Sequence, residues 1–488
     1  MRDRIRFFLN GILTEAGGED VFLTLAEYLR RRRGLTGTKI VCAEGDCGSC
    51  AVLIGRADGE RVDYRAVTSC IQILFQLDAA HVITVEGLRD GVQLNPIQRA
   101  MVSCHGTQCG FCTPGFVVAL QSVMDDGQPV EAEKVRRGLT GNLCRCTGYE
   151  SIIQAALRTD RKNLKSIDQL YPPGEILNKL NELAGEEVRI ETAARLFYKP
   201  ISIQQAAQFR LDHPACSVIA GATDLGVVYN KKLREIDIAL SLSGIASLKQ
   251  IVVEPDAIHI GAGVTLSDFQ SLATQHIPEL GRFMEWFGSP LIRSAGTLGG
   301  NIVTGSPIGD TIPALMVLQA ELELTSLSTA RVVPISQFYT GYRKTVLDTD
   351  EFLTSIRIGF LKANQLLKLY KVSRRRDLDI STFSAAIFVE QSGGALSEIR
   401  IAFGGVGPMV MRLAKTEAVL RGFAPTLGLF QQAGKIAREE VTHITDVRGS
   451  AGFRQTLAEN ILSKFWHEVF GNSAIDQSRV LSNANGVS

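Results

Sequence analysis

A chain of 488 residues, 45% hydrophobic and 21% charged, has the composition of a globular protein long enough for several domains with large cores. Its net charge of +1 leaves no electrostatic footprint for nucleic acid or an acidic membrane as partner. No apolar run reaches the length of a membrane span, and Asn10-Gly11 cuts short the only apolar stretch near the basic start, so no secretory segment forms and a cytoplasmic location is expected.

Arg4-Ile5-Arg6-Phe7-Phe8-Leu9 reads as a strand ending in an Asn10-Gly11 turn. Residues 24–33 read as a helix with Leu25, Tyr28 and Leu29 on one face. Its four terminal arginines, Arg30 to Arg33, suit a docking patch. They equally suit the negative end of the helix dipole, with Gly34 just beyond, and this second reading needs no partner. Cys42-Ala43-Glu44-Gly45-Asp46-Cys47-Gly48-Ser49-Cys50 then places three thiols at C-x4-C-x2-C, with Cys70 following. That is the spacing of a plant-type [2Fe–2S] site; a zinc loop is the alternative. Gly45 and Gly48 permit the positive φ that a loop wrapping a metal needs. Ala51-Val52-Leu53-Ile54 continues as a strand, and the unit closes near Glu86.

Nine of the ten cysteines lie in the first third of the chain, a clustering that points to metal rather than disulfides. A helix starts at Pro96-Ile97-Gln98. Cys109-Gly110-Phe111-Cys112 precedes another at Phe116-Val117-Val118-Ala119-Leu120, with Pro114 in its first turn. Helices are also expected over 131–138 and 151–157, with Cys144-Arg145-Cys146 between them. Cys109, Cys112, Cys144 and Cys146 make a second four-thiolate set, for a second [2Fe–2S] centre or for structural zinc. Cys104 and Cys216 remain as free thiols.

Residues 160–193 read as a connector with a short helix near 177–183. Val218, Ile219, Ala220, Gly221, Ala222, Thr223, Asp224 and Leu225 read as strand, glycine turn and helix start, without G-x-G-x-x-G; a plain turn capped by Asp224 fits as well. Residues 294–310 hold five glycines and no Lys or Arg, so an anion there would be bound by backbone N–H groups. An irregular turn is the alternative. Beyond 383, Ile399-Arg400-Ile401-Ala402-Phe403 reads as a half-buried strand, followed by helices over 412–420 and 427–441 and a polar tail from Ser482.

Gln108-Cys109-Gly110-Phe111-Cys112-Thr113-Pro114-Gly115 with Gly141-Asn142-Leu143-Cys144-Arg145-Cys146-Thr147-Gly148-Tyr149 resembles the iron–sulfur module of the molybdenum hydroxylases. The two glycine loops resemble that family's FAD domain, and the stretches 341–347 and 371–380 resemble its xanthine dehydrogenase branch. The resemblance implies a multidomain α+β fold. It comprises a ferredoxin-like β-grasp [2Fe–2S] domain (1–87), a four-helix [2Fe–2S] domain (88–162), a linker (163–192) and a vanillyl-alcohol-oxidase-like, PCMH-type FAD domain (193–368). A CO dehydrogenase flavoprotein-like C-terminal α+β domain (369–475) and a flexible tail (476–488) complete it.

By the same resemblance, Cys42, Cys47, Cys50 and Cys70 hold one cluster and Cys109, Cys112, Cys144 and Cys146 the other. Residues Val218 to Leu225 form the first loop over the FAD pyrophosphate, and Thr297, Asn301 and Asp310 lie on the second FAD segment. Phe287 is expected near the adenine, Leu353 and Lys371 at the flavin, and Tyr342 with Arg343 near the dinucleotide site. Arg374 to Arg376 are either a solvated basic loop or a loop steering NAD phosphates.

The family's molybdenum cofactor and purine site lie in a portion absent from this sequence. The resemblance therefore implies a separate molybdenum-binding large subunit, two copies of each subunit in a heterotetramer, and no catalytic residue for purine chemistry here. Electrons released as hypoxanthine becomes xanthine and then urate would pass through the 109–146 cluster, the 42–70 cluster and FAD to NAD. Two other functions stay open: the same role in a hydroxylase of an aldehyde or N-heterocycle, and a non-catalytic iron–sulfur sensor or scaffold.

Overall fold

Strands Ile5–Leu9 and Ile12–Ala16 form the expected hairpin, with Asn10 and Gly11 both at positive φ. The computed structural model describes residues 1–442 and 444–471. In it this hairpin joins a five-stranded sheet, in the order Ile12–Ala16, Ile5–Leu9, His81–Ile83, Ala51–Asp58, Arg61–Thr68. Helix Leu25–Arg31 starts at a Thr24–Glu27 capping box and buries Leu25, Tyr28 and Leu29. Arg30 donates to the carbonyls of Thr36 and Thr38 and Arg32 pairs with Asp20, while Arg31, Arg32 and Arg33 are exposed at the end of the helix. The helix-end reading accounts for these contacts without a partner.

Four helices follow: Pro96–Ser103, Thr113–Met124, Ala132–Gly138 and Glu150–Leu157. Ile97, Phe116, Val117, Leu120, Val135 and Ile152 share their core. The stretch read as a connector carries more structure than expected. It contains helix Pro173–Ala184, which buries Ile176, Leu180 and Leu183, and strand Val188–Glu191. The helix expected near 177–183 is present but starts earlier, at Pro173, where the Tyr171-Pro172-Pro173 run reads as a break although a proline suits a first helical turn.

Two sheets build the next unit. One runs Val188–Glu191, Leu196–Lys199, Ile238–Ser241, Ser217–Ile219; the other runs Ile251–Val253, Ala257–Gly261, Phe352–Gly359, Glu321–Thr325, Ala330–Pro334. The C-terminal unit is an antiparallel sheet of Gln365–Val372, Phe383–Ser392, Ala395–Gly404 and Met411–Arg412, backed by Ala414–Leu420, Leu427–Glu440 and a further helix, Ala451–Val469. The tail from Ser482 lies outside the described residues. Among the described residues, no helix is long and apolar enough to cross a membrane.

Buried contacts join the units. Asp78 of the first sheet pairs with Lys199 at 2.6 Å and with Arg2 at 2.8 Å, while Phe75 stacks on Phe197 with ring centroids 4.6 Å apart. Arg65 reaches across to Asp268 at 2.5 Å. The enclosed Asp78–Lys199 pair fixes geometry more than it adds stability, because desolvation offsets much of its attraction.

Candidate functional site

The first thiol set sits in the loop between helix Leu25–Arg31 and strand Ala51–Asp58, with Cys70 just beyond Arg61–Thr68. Positive φ at Ala43, Gly45 and Gly48 turns the backbone inward, and the amides of Glu44 and Cys47 point at the Cys42 sulfur. Cys47, Cys50 and Cys70 are buried, at 8%, 2% and 2% exposure. Cys42 contacts Cys47 and Cys70, and Cys50 contacts Cys70. These contacts draw the Cys42 thiol well below its usual range and push Cys47 and Cys70 above theirs. Thiols this close cannot all ionise unless a cation neutralises them, which fits this donor set to iron.

In the second set, Cys109 and Cys146 lie 3.6 Å apart, sulfur to sulfur, and Cys112 contacts Cys144. Burial, then the Cys144 contact, pushes Cys112 up to about 12. For Cys144, burial raises the thiol, but the Thr147 hydroxyl at 3.1 Å and nearby backbone amides outweigh it and bring the thiol below its usual range. Cys112 is the N-cap residue of helix Thr113–Met124, whose first amides have no side-chain cap. Among the described residues, no three His, Cys, Asp or Glu side chains close on a single ion. The thiols of this set converge in twos, as two irons sharing bridging sulfides require. Cys109 and Cys146 are exposed, beside exposed Phe111 and Leu143. Cys104 and Cys216 are free and half-buried.

The two sets are wired together. Leu143 N–H, next to Cys144, donates to the Cys47 carbonyl at 3.0 Å, and the Asn142 amide reaches the Gly48 carbonyl at 3.3 Å. A Cβ on Gly115 would stand 2.1 Å from the Gly48 oxygen, so only glycine lets these backbones meet.

On its other side the first loop meets a cleft of about 1260 Å³, lined in part by Glu44, Asp46 and Ile292. A Cβ on Gly45 would lie 3.1 Å from Ile292. Of the fourteen residues expected at the dinucleotide, thirteen line this cleft: Val218, Ala220, Gly221, Ala222, Thr223, Asp224, Leu225, Phe287, Thr297, Asn301, Asp310, Leu353 and Lys371. The Ile219 side chain instead packs in the core beside Phe197 and Ile236. The glycine walls fit a dinucleotide. A Cβ on Gly221 would stand 2.1 Å from the Ala295 carbonyl, and one on Gly299 2.6 Å from that of Ala262, so the loops pack backbone to backbone at the cleft wall as only glycine allows.

Local detail departs from the sequence reading in three places. Asp224 occupies an N-cap position but makes no cap; its carboxylate takes Arg343 at 3.1 Å, while Tyr342 is exposed. The 294–310 stretch is partly helical, over Leu298–Thr304, with Thr297 accepting from the Gly300 amide. The ends of the cleft are also divided differently. Lys371 donates to the Trp286 carbonyl at 2.9 Å and to Asp310 at 2.7 Å, so Phe287 shares its end of the cleft. That end abuts the clusters: a Cβ on Gly141 would meet Ser289 at 2.6 Å. Leu353 lies on the other sheet, next to Phe352, whose ring carries Arg210. Phe287 therefore lies beside the Lys371 contact, and Leu353 lines the cleft from strand Phe352–Gly359.

Sequence reasoning missed Arg293, 7% exposed, which donates to the Phe287 carbonyl at 2.8 Å and fixes that residue. It also missed Gln72 and Gln76, which reach the cleft from the iron–sulfur side. A lone Arg in the apolar Pro290-Leu291-Ile292 run was the one available signal. Arg375 donates to the Leu378 carbonyl of its own loop and Arg374 to the Val447 carbonyl of the C-terminal unit, while Leu378 to Ser381 of the same loop line the cleft.

Fold and site define the iron–sulfur and flavin electron-transfer portion of an oxidoreductase. Family models match as [2Fe-2S] binding domain over residues 84–157, FAD binding domain in molybdopterin dehydrogenase over 188–360, and CO dehydrogenase flavoprotein C-terminal domain over 368–469. The chain is 30% identical to xanthine dehydrogenase 1 of Arabidopsis thaliana, over 96% of this chain and 40% of that protein. It is 28% identical to the xanthine dehydrogenase of Emericella nidulans, over 96% and 39%. Among solved structures, carbon monoxide dehydrogenase from Hydrogenophaga pseudoflava aligns with TM-score 0.53 and 26% identity, over 55% of this chain and 94% of that one. The chain carries the iron–sulfur, FAD-binding and flavoprotein C-terminal domains found in molybdenum hydroxylases, and spans about 40% of the length of the curated relatives it matches.

Proposed function

We propose that this chain is the electron-transfer subunit of a cytoplasmic xanthine dehydrogenase, joined to a molybdenum-binding large subunit in a heterotetramer with two copies of each. The observation that carries this is the order in space: exposed thiols of the second set, buried thiols of the first, then the cleft. Alignment with xanthine dehydrogenases over nearly the whole chain supports the substrate, purines oxidised through xanthine to urate. Bound iron–sulfur centres and FAD supply the redox chemistry, taking electrons singly from the partner and delivering a hydride to NAD.

The chain's own residues position and insulate. The eight cysteines hold two clusters, and the Cys47 carbonyl bonded to Leu143 N–H keeps the two sets in fixed register. Residues 218–225 with Thr297, Asn301 and Asp310 cradle the dinucleotide, and Lys371, held by Asp310, stands at the cluster end. No side chain here needs to move a proton for purine chemistry. The proposed domain limits are those read from the sequence, with strand Val188–Glu191 joining the flavin unit.

Native co-purification, followed by iron and flavin analysis and NAD reduction with xanthine, tests this. The expected result is a molybdenum-containing partner, four irons and one FAD per chain, and xanthine-dependent NADH. The likeness to carbon monoxide dehydrogenase favours one second reading, a related hydroxylase acting on an aldehyde or N-heterocycle. A complex that reduces NAD with such a substrate and never with hypoxanthine or xanthine would establish it instead.

A further inference from the structure

We infer that Gln72, on the iron–sulfur side of the domain boundary, is part of the dinucleotide site and donates a hydrogen bond to the cofactor's phosphate or ribityl oxygens. The inference rests on the flavin reading of the cleft. Gln72 is only 5% exposed, its side chain lines the cleft, and its Nε2 has no hydrogen-bond partner. Leaving an amide donor buried and unpaired costs about 1–3 kcal/mol, so such a group persists where something else satisfies it. Its backbone is already committed: the Gln72 carbonyl accepts from Leu25 N–H at 2.7 Å. Only the carboxamide is left over.

The surroundings say what it meets. One turn on, Gln76 accepts from Ile73 N–H at 2.9 Å and turns its Nε2 towards the carbonyls of Ala220 and Gly221, at 3.4 and 3.5 Å. A Cβ on Gly226 would stand 2.1 Å from the Ile71 carbonyl. The 71–76 stretch is thus seated against the first dinucleotide loop, and Gln72 lies in that seam. Residues 294–310 bring no Lys or Arg to the cleft, and the Lys371 and Arg343 that line it are each paired with a carboxylate, Asp310 and Asp224; a carboxamide is a further donor for an anion there. Phosphate oxygens only accept, which selects Nε2, the unpartnered end of the carboxamide. Because Cys70 lies two residues earlier, one short piece of backbone would carry both a cluster ligand and a cofactor contact.

The test uses the full chain, with its partner where one co-purifies. FAD is stripped with chaotropic salt and titrated back while flavin fluorescence quenching gives Kd; EPR counts the clusters. Gln72→Leu is expected to weaken FAD binding about tenfold, in line with one lost hydrogen bond to a charged group. Gln72→Glu, nearly isosteric but lacking the N–H and bearing negative charge, is expected to weaken it further. Both [2Fe–2S] signals stay at wild-type intensity. Binding within twofold of wild type in both variants, with clusters intact, overturns the inference while leaving the flavin reading in place. Should Gln72→Leu lose its clusters, Gln72→Glu decides alone. Wild-type protein that takes up no FAD overturns the flavin reading, and this inference with it.

Discussion

The two thiol sets share a ligand type and number, yet the fold treats them oppositely. Three of the first four sulfurs are buried, and the loop that holds them is pressed between the second set and the cleft. Two of the second four are exposed on a helical unit. A site enclosed on both sides is part of its domain's core, and its metal is part of that domain's stability. A site at the surface trades that protection for access, and access is what electron entry from a partner requires. Burial and hydrogen bonding to sulfur also set reduction potentials, so two sets of equal chemistry become two different steps.

The largest test exchanges one ligand in each set. Cys70→Ser is expected to abolish the first cluster and to leave the N-terminal sheet unable to fold stably, seen as loss of one [2Fe–2S] EPR signal together with soluble yield. Cys109→Ser should remove only the second signal and leave the first intact. If both variants behaved alike, the contrast in burial would carry no functional weight.

Next comes the buried charge cluster of Asp78 with Lys199 and Arg2, which ties the iron–sulfur domain to strand Leu196–Lys199. Asp78→Ala leaves Lys199 and Arg2 facing each other without their carboxylate, and is expected to cost about 3–5 kcal/mol. Chemical denaturation followed by visible circular dichroism should show the first cluster lost early and the second less affected.

Acid should also strike the first set's domain. His81 is fully buried, its Nε2 accepts from Gly11 N–H at 3.0 Å, and burial pulls it down to about 4 from 6.5. Between those values the unfolded chain binds a proton that the fold excludes. Stability is therefore full above about pH 6.5 and falls as the pH drops towards 4, by on the order of 3 kcal/mol. Melting temperatures across that range check this, and His81→Gln should flatten the dependence.

The smallest effect belongs to the exposed set. Thr147→Val removes a hydroxyl donor to the Cys144 sulfur. Losing one hydrogen bond worth about 1 kcal/mol should lower the second cluster's potential by some tens of millivolts and leave the first unchanged, read by EPR-monitored titration.

Much of this was legible in the amino-acid order because metal ligation and turns are local. C-x4-C-x2-C and C-x2-C with C-x-C place sulfurs through a few residues of backbone, and glycines mark where φ must turn positive. The hairpin at Asn10-Gly11, the helix capped by Thr24 and the cleft-lining glycines follow from the same short-range rules. What the sequence could not rank was neighbourhood. Phe287 beside the Lys371 contact, the Ile219 side chain in the core and the buried face of helix Pro173–Ala184 all depend on which distant element packs alongside. Sequence alone determined that two four-sulfur sites and a glycine-walled cleft would exist. Only tertiary structure decided which site is enclosed, which is exposed, and that a backbone bond from Leu143 to Cys47 joins them. Order along a relay is a matter of contacts across long stretches of chain, which no local spacing encodes.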